Sequence, residues 1–484
     1  MRLPSVAQVT TSQRLALAVL SAAMLMTILD GSIVTVAMPA MQRDLGFSAA
    51  GLSWTVNAYL IAFGGLLLLA GRLGDLIGKK RLFLAGNAIF TAASLAAGLA
   101  ATPGELIAAR FAQGVGSALA AAVVLGILVT LFTESGPRAK AIGVFSFTGA
   151  AGASIGQVLG GVLTDTLSWH WVFFINVPIG LATIALAVRA LPDDKGIGLA
   201  AGADVLGAAL VTSGLMLGIY TVVQIAESGW LAARTLVLGA VSLALLAAFL
   251  IRQHRARTPL LPLRIFRSRN VSGANAVQML TLSAMFAFQI IVALYMQKVL
   301  GYSALQTGLA MLPAAVAIGG VSLFVSAPLG ARIGTRNVLI AGLVLLLIGM
   351  VWLTRLPVAA TYAVDLLPMM VLISGGGLVL PALTTLGMSG AKADDAGLAS
   401  GLFNTTQQIG MAIGIAVLST LAASRTGTRL ATGASEAAAL TSGYRLAFAV
   451  AAALLALALL VSVTVLRRSE PVASHQADVV EHAF

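Results

Sequence analysis

Apolar residues along this chain come in long blocks separated by short polar or turn-rich breaks. A bilayer core about 30 Å thick needs roughly 20 apolar residues in a helix, and fourteen blocks approach or exceed that length. They fall at about 15–38, 54–71, 82–101, 106–131, 141–163, 171–190, 204–224 and 235–251, then, after a polar break, at 271–296, 305–327, 338–353, 364–386, 398–422 and 444–466. The pattern predicts an all-α polytopic membrane protein with fourteen transmembrane helices. An even number of crossings puts both termini on one side.

Composition agrees: 59% of the residues are hydrophobic and 10% charged, against about 25% charged in soluble domains, which excludes a soluble globular fold. Short loops rich in Lys and Arg stay in the cytoplasm. With cytoplasmic termini, the inside segments hold 21 of the 29 basic residues, including Arg72, Lys79, Lys80 and Arg81 in one loop and Arg252, Arg255, Arg257, Arg264, Arg267 and Arg269 in another. The net charge of +12 is thus topological, and the strip from Arg252 to Arg269 is expected to meet anionic lipid headgroups rather than nucleic acid. The first apolar run follows Arg2 and Arg14 but is too long for a signal peptide, so it is expected to remain in the mature protein. There is no cysteine, and His170, His254, His475 and His482 all fall in loops or the tail. Neither a metal nor a cofactor is expected. No loop is long enough for a soluble catalytic domain, so an enzyme would have to work inside the membrane.

Two internal echoes suggest duplication. LGDLIGKK at 73–80 matches LGARIGTR at 329–336, an offset of 256. The stretch 143–156 matches 401–414 at an offset of 258, through Gly143/Gly401, Phe145/Phe403, Thr148/Thr406, Gly152/Gly410, Ile155/Ile413 and Gly156/Gly414. The expected organisation is six plus two plus six: a six-helix bundle over 1–198, two inserted helices over 199–252, a second six-helix bundle over 253–470 related to the first by a pseudo-twofold, and a cytoplasmic tail over 471–484.

Several stretches resemble the major facilitator superfamily, and within it the fourteen-helix branch of drug:proton antiporters. LDGSIVTVAMPAM at 29–41 is similar to that branch's first-helix signature, with Gly31, Ser32 and Thr35 at positions where Thr and Asn are commoner. GRLGDLIGKKR at 71–81 resembles the superfamily's loop between helices two and three. RFAQGVGSA at 110–118 resembles the motif that places an arginine in the membrane, and WHWVFFINVPIGL at 169–181 the approach to helix six. One departure stands out: Gln157 follows Gly156 where the antiporter motif usually has Gly-Pro.

The resemblance implies proton-driven efflux of lipophilic compounds, cationic ones included, by alternating access, in a bacterial inner membrane and as a monomer. Its partners would be a small-molecule substrate, protons and lipids. The alternatives are a narrow exporter of one metabolite, antibiotic or lipid and, more remotely, an intramembrane enzyme or receptor. No Walker-type nucleotide motif is present.

Candidate chemistry is sparse. Asp30 is the only carboxylate deep in a hydrophobic run of the first half, where a charge costs about 2.5–3.5 kcal/mol on insertion scales. Such an acid can carry a proton, neutral when dry and charged when opened to water, or it can be structural and satisfied by helix backbone. Arg110 belongs to the same outer half of the membrane, either as a competitor for that carboxylate or as an arginine snorkelling to headgroups. Gly71, Gly74 and Gly78 with Arg72, Asp75, Lys79 and Arg81 form a candidate cytoplasmic gate, in which Asp75 could latch onto a helix N-terminus or a basic partner of the other half. The second copy has Ala331 at that position. Gly152, Gly156 and Gly160 lie on one smooth face of helix five, a candidate gate with Gln157 beside it. Polar and aromatic residues within apolar helices are the substrate-cavity candidates: Asn57, Tyr59, Asn275, Gln278, Phe286, Gln289, Asn404, Gln407 and Gln408.

Overall fold

The computed structural model describes residues 11–48, 50–132, 135–198, 202–256, 259–389 and 396–466; the expected tail and Arg257 of the basic strip lie outside them. Thirteen helices among the described residues are long and apolar enough to cross a membrane, and the 32-residue helix Ser135–Thr166 makes a fourteenth. In chain order they are α1 Thr11–Leu45, α2 Trp54–Ile77, α3 Lys79–Gly98, α4 Pro103–Leu131, α5 Ser135–Thr166, α6 Trp171–Ala190, α7 Val205–Ser228 and α8 Ala233–Arg255. The second set is α9 Arg269–Lys298, α10 Ala304–Ile333, α11 Thr335–Leu353, α12 Tyr362–Gly387, α13 Ala396–Ala431 and α14 Glu436–Thr464. No strand occurs among the described residues. Helices prevail because lipid offers no partner for free backbone groups, so each crossing must satisfy its own. Hydroxyls inside the helices follow the same rule: Thr91 and Ser94 donate to the carbonyls of Asn87 and Phe90 one turn earlier.

Matching helix pairs pack within α1–α6 and within α9–α14, α5 on α1 and α13 on α9 among them, while α2 with α13 and α5 with α10 join the two groups. The α2–α3 and α10–α11 connections, 256 residues apart, each turn on a glycine of positive φ, Gly78 at 101° and Gly334 at 84°. A side chain would strain either turn. In the first group α5 lies on α1, where a Cβ at Gly156 would stand 2.9 Å from the Leu29 carbonyl oxygen. In the second α13 lies on α9, where a Cβ at Gly414 would stand 2.3 Å from the Ser283 carbonyl oxygen. The paired glycines of the sequence echo therefore do the same job twice.

The inserted pair α7–α8 packs where the groups meet, with α7 against both α2 and α13. Adjacent glycines make room there: a Cβ at Gly64 would fall 2.8 Å from Cβ of Gln408 on α13, and one at Gly65 2.5 Å from Oγ1 of Thr212 on α7. Asp204 ties the pair at its base, accepting hydrogen bonds from the Gly207 amide (2.9 Å), Arg252 Nε (2.5 Å) and Gln253 Nε2 (2.8 Å). Burial pushes the Asp204 carboxyl up, but Arg252, Gly207 and Gln253 together hold it below the ordinary carboxylate range.

The two groups are clasped at the end of the bundle opposite the termini. Asp165 of α5 caps α10, accepting from the amides of Ala304 (3.2 Å) and Leu305 (2.7 Å). Gln297 Nε2 of α9 donates to the Val36 carbonyl of α1 at 3.0 Å, and Lys298 Nζ donates to Gln42 Oε1. Close approach of α5 and α10 depends on glycine, since a Cβ at Gly308 would stand 2.4 Å from the Gln157 carbonyl oxygen and one at Gly161 2.6 Å from Leu305 Cα.

Two predictions follow from these ties. Because the folded-state pKa of Asp204 is depressed, its contribution is present above the unfolded value and is lost as pH falls through the folded one. Thermal stability in detergent should drop over that acid window, and Asp204→Asn should flatten part of the drop; an identical acid limb in both proteins would show that the tie contributes nothing. The far-end clasp is tested on the naturally cysteine-free chain by a single cysteine at Val36, which is 1% exposed. Gly308→Val should raise its labelling rate with a thiol reagent several-fold, whereas an unchanged rate would mean that the clasp tolerates a side chain.

Candidate functional site

At the centre of the first group, five helices bring together one acid, one base and a ring of uncharged polar groups. Pro103 at the first turn and the Thr102 side chain, which accepts from the Glu105 amide, start α4. Arg110 then lies inside the helix, with Gln113 one turn on and on the same face. Arg110, Gln113 and Asp30 are all 0% exposed. Arg110 Nη1 meets Asp30 Oδ2 at 2.5 Å, so neither side chain reaches headgroups or bulk water.

Every element around the pair supplies a partner. Arg110 Nε donates to the Thr55 carbonyl of α2 at 2.7 Å, and Nη1 also donates to Gln113 Oε1 at 2.7 Å. The guanidinium lies 4.6 Å from the ring centre of Tyr59 and 5.8 Å from that of Phe173, within the range of cation–π attraction. Tyr59 donates onward to Ser117 Oγ at 3.0 Å. Asp30 Oδ1 accepts from Gln113 Nε2 at 3.2 Å and from Asn176 Nδ2 of α6 at 2.9 Å. Gln113 Nε2 also donates to Ser94 Oγ of α3 at 2.7 Å. Asn176 is set by a local break, α6 being helical over Trp171–Phe174 and again over Asn176–Ala190.

Chemically, the arrangement can hold a charge in either of two ways. With Asp30 ionised, the ion pair and two amide donors stabilise the carboxylate. With Asp30 neutral, the guanidinium keeps Thr55, Gln113 and two aromatic faces, while its Nη2 is buried without a hydrogen-bond partner in either case. A dry ion pair surrounded by hydrogen bonds contributes little net stability, but removing one member leaves a buried charge uncompensated.

The sequence candidates do not all converge on this centre. Asp30, Arg110 and Tyr59 do, although Tyr59 serves here as a platform for Arg110. In the loop after α2 the Asp75 carboxylate is exposed and has no partner among the described residues. The α3 N-terminus is capped instead by Asp194, which accepts from the amides of Lys79 (2.6 Å) and Lys80 (3.1 Å). The extended segment 192–198 straps this loop: Ile197 and Gly198 donate to the carbonyls of Asp75 and Leu76, and Lys80 meets Asp193 at 2.8 Å. Gly74 admits Val123 of α4, whose Cγ1 would be 2.4 Å from an added Cβ. Around Gly71 nothing lies within 4 Å of such an atom. Arg72 Nε donates to the Gly202 carbonyl at 3.2 Å.

On α5, Gly152, Gly156 and Gly160 face α1 within the first group, whereas contact with the second group runs through Gln157, Val158 and Gly161. The Gln157 side chain is buried and its Oε1 has no partner. Among the cavity candidates, Gln278 Nε2 donates to the Phe403 carbonyl at 3.0 Å and Asn275 Nδ2 to the Val271 carbonyl at 2.8 Å. Gln278 therefore ties α9 to α13, whereas Asn275 bonds within its own helix and its Oδ1 is buried without a partner. Gln408 is buried against Gly64, and Asn57 is fully buried with neither amide atom partnered. Phe286 is half-buried against the first group's core. Gln289 and Gln407 are half-buried and Asn404 is exposed. A cavity of about 560 Å³ lies elsewhere, between α11 and the start of α12 beside Trp352, Arg355 and Asp365.

Gln113, Asn176, Ser94 and Asp194 were not singled out in the sequence. Gln113 was within reach, being three residues after Arg110 in a helix. Asn176 stands inside a stretch already noted for helix six, but only the fold places it beside Asp30.

A sequence model of the family described as the Major Facilitator Superfamily matches residues 20–415. The puromycin resistance protein of Streptomyces alboniger is 38% identical over 452 residues, covering 91% of this chain and 89% of its own. The cephamycin export protein of Amycolatopsis lactamdurans is 40% identical over 421 residues, covering 86% of each. A crystal structure of a bacterial homologue of the human lysosomal transporter Spinster, inward-facing and unoccupied, superposes with a TM-score of 0.67 at 15% identity, covering 96% of this chain and 99% of that one. At that identity the likeness concerns the fold alone.

The geometry makes Arg110 the more costly member of the pair to remove. Arg110→Ala should destabilise the protein by about 3–5 kcal/mol, seen as a lower melting temperature in detergent. Asp30→Asn should lower it less, because the guanidinium retains Thr55, Gln113 and the two rings. Equal losses, or a larger loss in Asp30→Asn, would contradict this reading of the site.

Proposed function

The chain belongs to the major facilitator superfamily, a family of multi-pass membrane transporters rather than enzymes, and from that premise we propose that it exports lipophilic, in part cationic, compounds in exchange for protons. One observation carries the proposal: a fully buried carboxylate, Asp30, is paired with Arg110 inside the membrane and accepts from two side-chain amides. Intramembrane ionisable residues are costly and mark ion and proton paths. That the relatives named above are a resistance protein and an export protein supports the outward direction.

Distribution of basic residues supports cytoplasmic termini, and the bacterial relatives support placement in a bacterial inner membrane. With that orientation the far-end clasp closes the outer face. The two six-helix groups then rock about the midplane, and inward proton movement drives the exchange. A potential of 100 mV supplies about 2.3 kcal/mol per charge, and each pH unit adds about 1.4 kcal/mol. The protein works as a monomer, with lipid headgroups meeting the basic strip at the base of α8 and α9.

A second reading, export of a single antibiotic, is favoured by the two relatives named for one compound each. Everted vesicles holding a pH gradient separate the two. Collapse of the gradient by puromycin, ethidium and tetraphenylphosphonium alike, abolished in Asp30→Asn, is the result expected for a multidrug antiporter. Collapse by puromycin alone favours the narrow exporter. Active export that is indifferent to the pH gradient and to Asp30→Asn would overturn proton coupling.

A further inference from the structure

Two amides face the Asp30 carboxylate, and their remaining atoms differ. Gln113 Nε2 donates to Asp30 Oδ1 while its Oε1 is held by Arg110 Nη1 at 2.7 Å and its Nε2 is shared with Ser94. Turning that amide over would present Nε2 to a guanidinium donor and break three contacts. Asn176 Nδ2 donates to the same Asp30 oxygen at 2.9 Å, yet its Oδ1 is buried and has no partner. Nothing anchors the Asn176 amide in one orientation except the charge of Asp30 itself.

We propose that Asn176 is the positioning residue that accommodates Asp30 in both protonation states, by rotation of its amide. The inference rests on Asp30 being the proton carrier. With Asp30 ionised, Nδ2 donates to the carboxylate. When Asp30 takes a proton, the new carboxylic O–H is a donor that needs an acceptor, and a half-turn of the Asn176 amide brings the unengaged Oδ1 to it. No covalent bond other than the O–H forms, and the proton stays on Asp30 until the site opens. The titratable neighbours are Arg110 from α4, which keeps Thr55 and Gln113 as acceptors, and Tyr59 from α2, which donates to Ser117. From α3 and α6 come the uncharged Ser94 and Asn176, and α5 presents glycines 152, 156 and 160 to α1. Among the residues bonded to Asp30 only Asn176 has an unengaged acceptor.

Infrared difference spectroscopy of the full-length protein, titrated across the whole pH range in which it stays folded, tests this without a transported ligand. The Asp30 carboxyl C=O band is identified by its loss in Asp30→Asn. In the unmodified protein carrying asparagine labelled with 13C at the side-chain carbonyl, protonation should shift one labelled amide band to lower wavenumber. In Asn176→Leu the amide change should vanish and the Asp30 carboxyl band should move to higher wavenumber. Asn176→Ser, whose hydroxyl both donates and accepts, should return it towards its original position.

An Asp30 band that titrates with no asparagine change, or that is unmoved in Asn176→Leu, overturns the role of Asn176 while leaving Asp30 as carrier. The labelled-asparagine measurement needs no variant that must fold. Absence of any Asp30 band across the titration overturns the carrier reading and the Asn176 role with it.

Discussion

An ion pair that water cannot reach sets the terms for the first half of this molecule. Taking a carboxylate and a guanidinium out of water costs several kcal/mol per ion, and their mutual attraction offsets this only with good geometry and further hydrogen bonds. Asp30 and Arg110 draw on four of the helices around them, leaving only Arg110 Nη2 of the pair without a partner: the Thr55 carbonyl and Tyr59 ring from α2, Ser94 from α3, Gln113 from α4, and Phe173 and Asn176 from α6. Each partner fixes the rotation of its helix about its own axis. The site and the bundle are therefore one structure, in which the polar centre and close glycine contacts, such as Gly114 of α4 against the Tyr59 carbonyl of α2, register the same helices.

Where charge does not set the packing, glycine does. Lipid tails are as apolar as leucine, so helices gain little from merely hiding apolar surface and associate instead through close contact. The glycines at 156 and 414 let the fifth helix of each group touch the backbone of its first, and those at 64 and 65 let α13 and α7 settle on α2. At the far end Gly161 and Gly308 bring α5 and α10 so near that the Asp165 carboxylate reaches the α10 amides. An acid at a helix N-terminus is favourable but modest in strength.

Fourteen helices were legible in the sequence because membrane thickness sets a length that no soluble fold imitates, and the duplication because its glycines are held in place by geometry. Asp30 and Arg110 were legible as expensive residues. Their partners were not, since Gln113 and Asn176 are ordinary amides until the fold places them beside a charge. Asp75 shows the converse. The acid invites an ion pair on paper, but a strap with its own acids, Asp193 and Asp194, occupies the adjacent helix end. A loop long after α2 in sequence but adjacent in space is beyond the reach of local pattern. The cavity candidates illustrate the same limit, for nothing local distinguishes an amide such as Gln278, bound to a neighbouring backbone, from one that faces a ligand.

The two groups share a scaffold but not a chemistry. Matching the glycine contacts, Gly156 on Leu29 with Gly414 on Ser283, sets Asp30 against Ala284 in the second group, and Ala284 is fully buried in an apolar core. Around it Val277, Ala287, Phe288 and Ile291 continue that core, so the second copy replaces an ion pair and its ring of amides by simple packing. Duplication thus accounts for the architecture, and divergence of one copy accounts for the charge. The buried ion pair is thus confined to the first group, and the matching position of the second, Ala284, is held by apolar contacts alone.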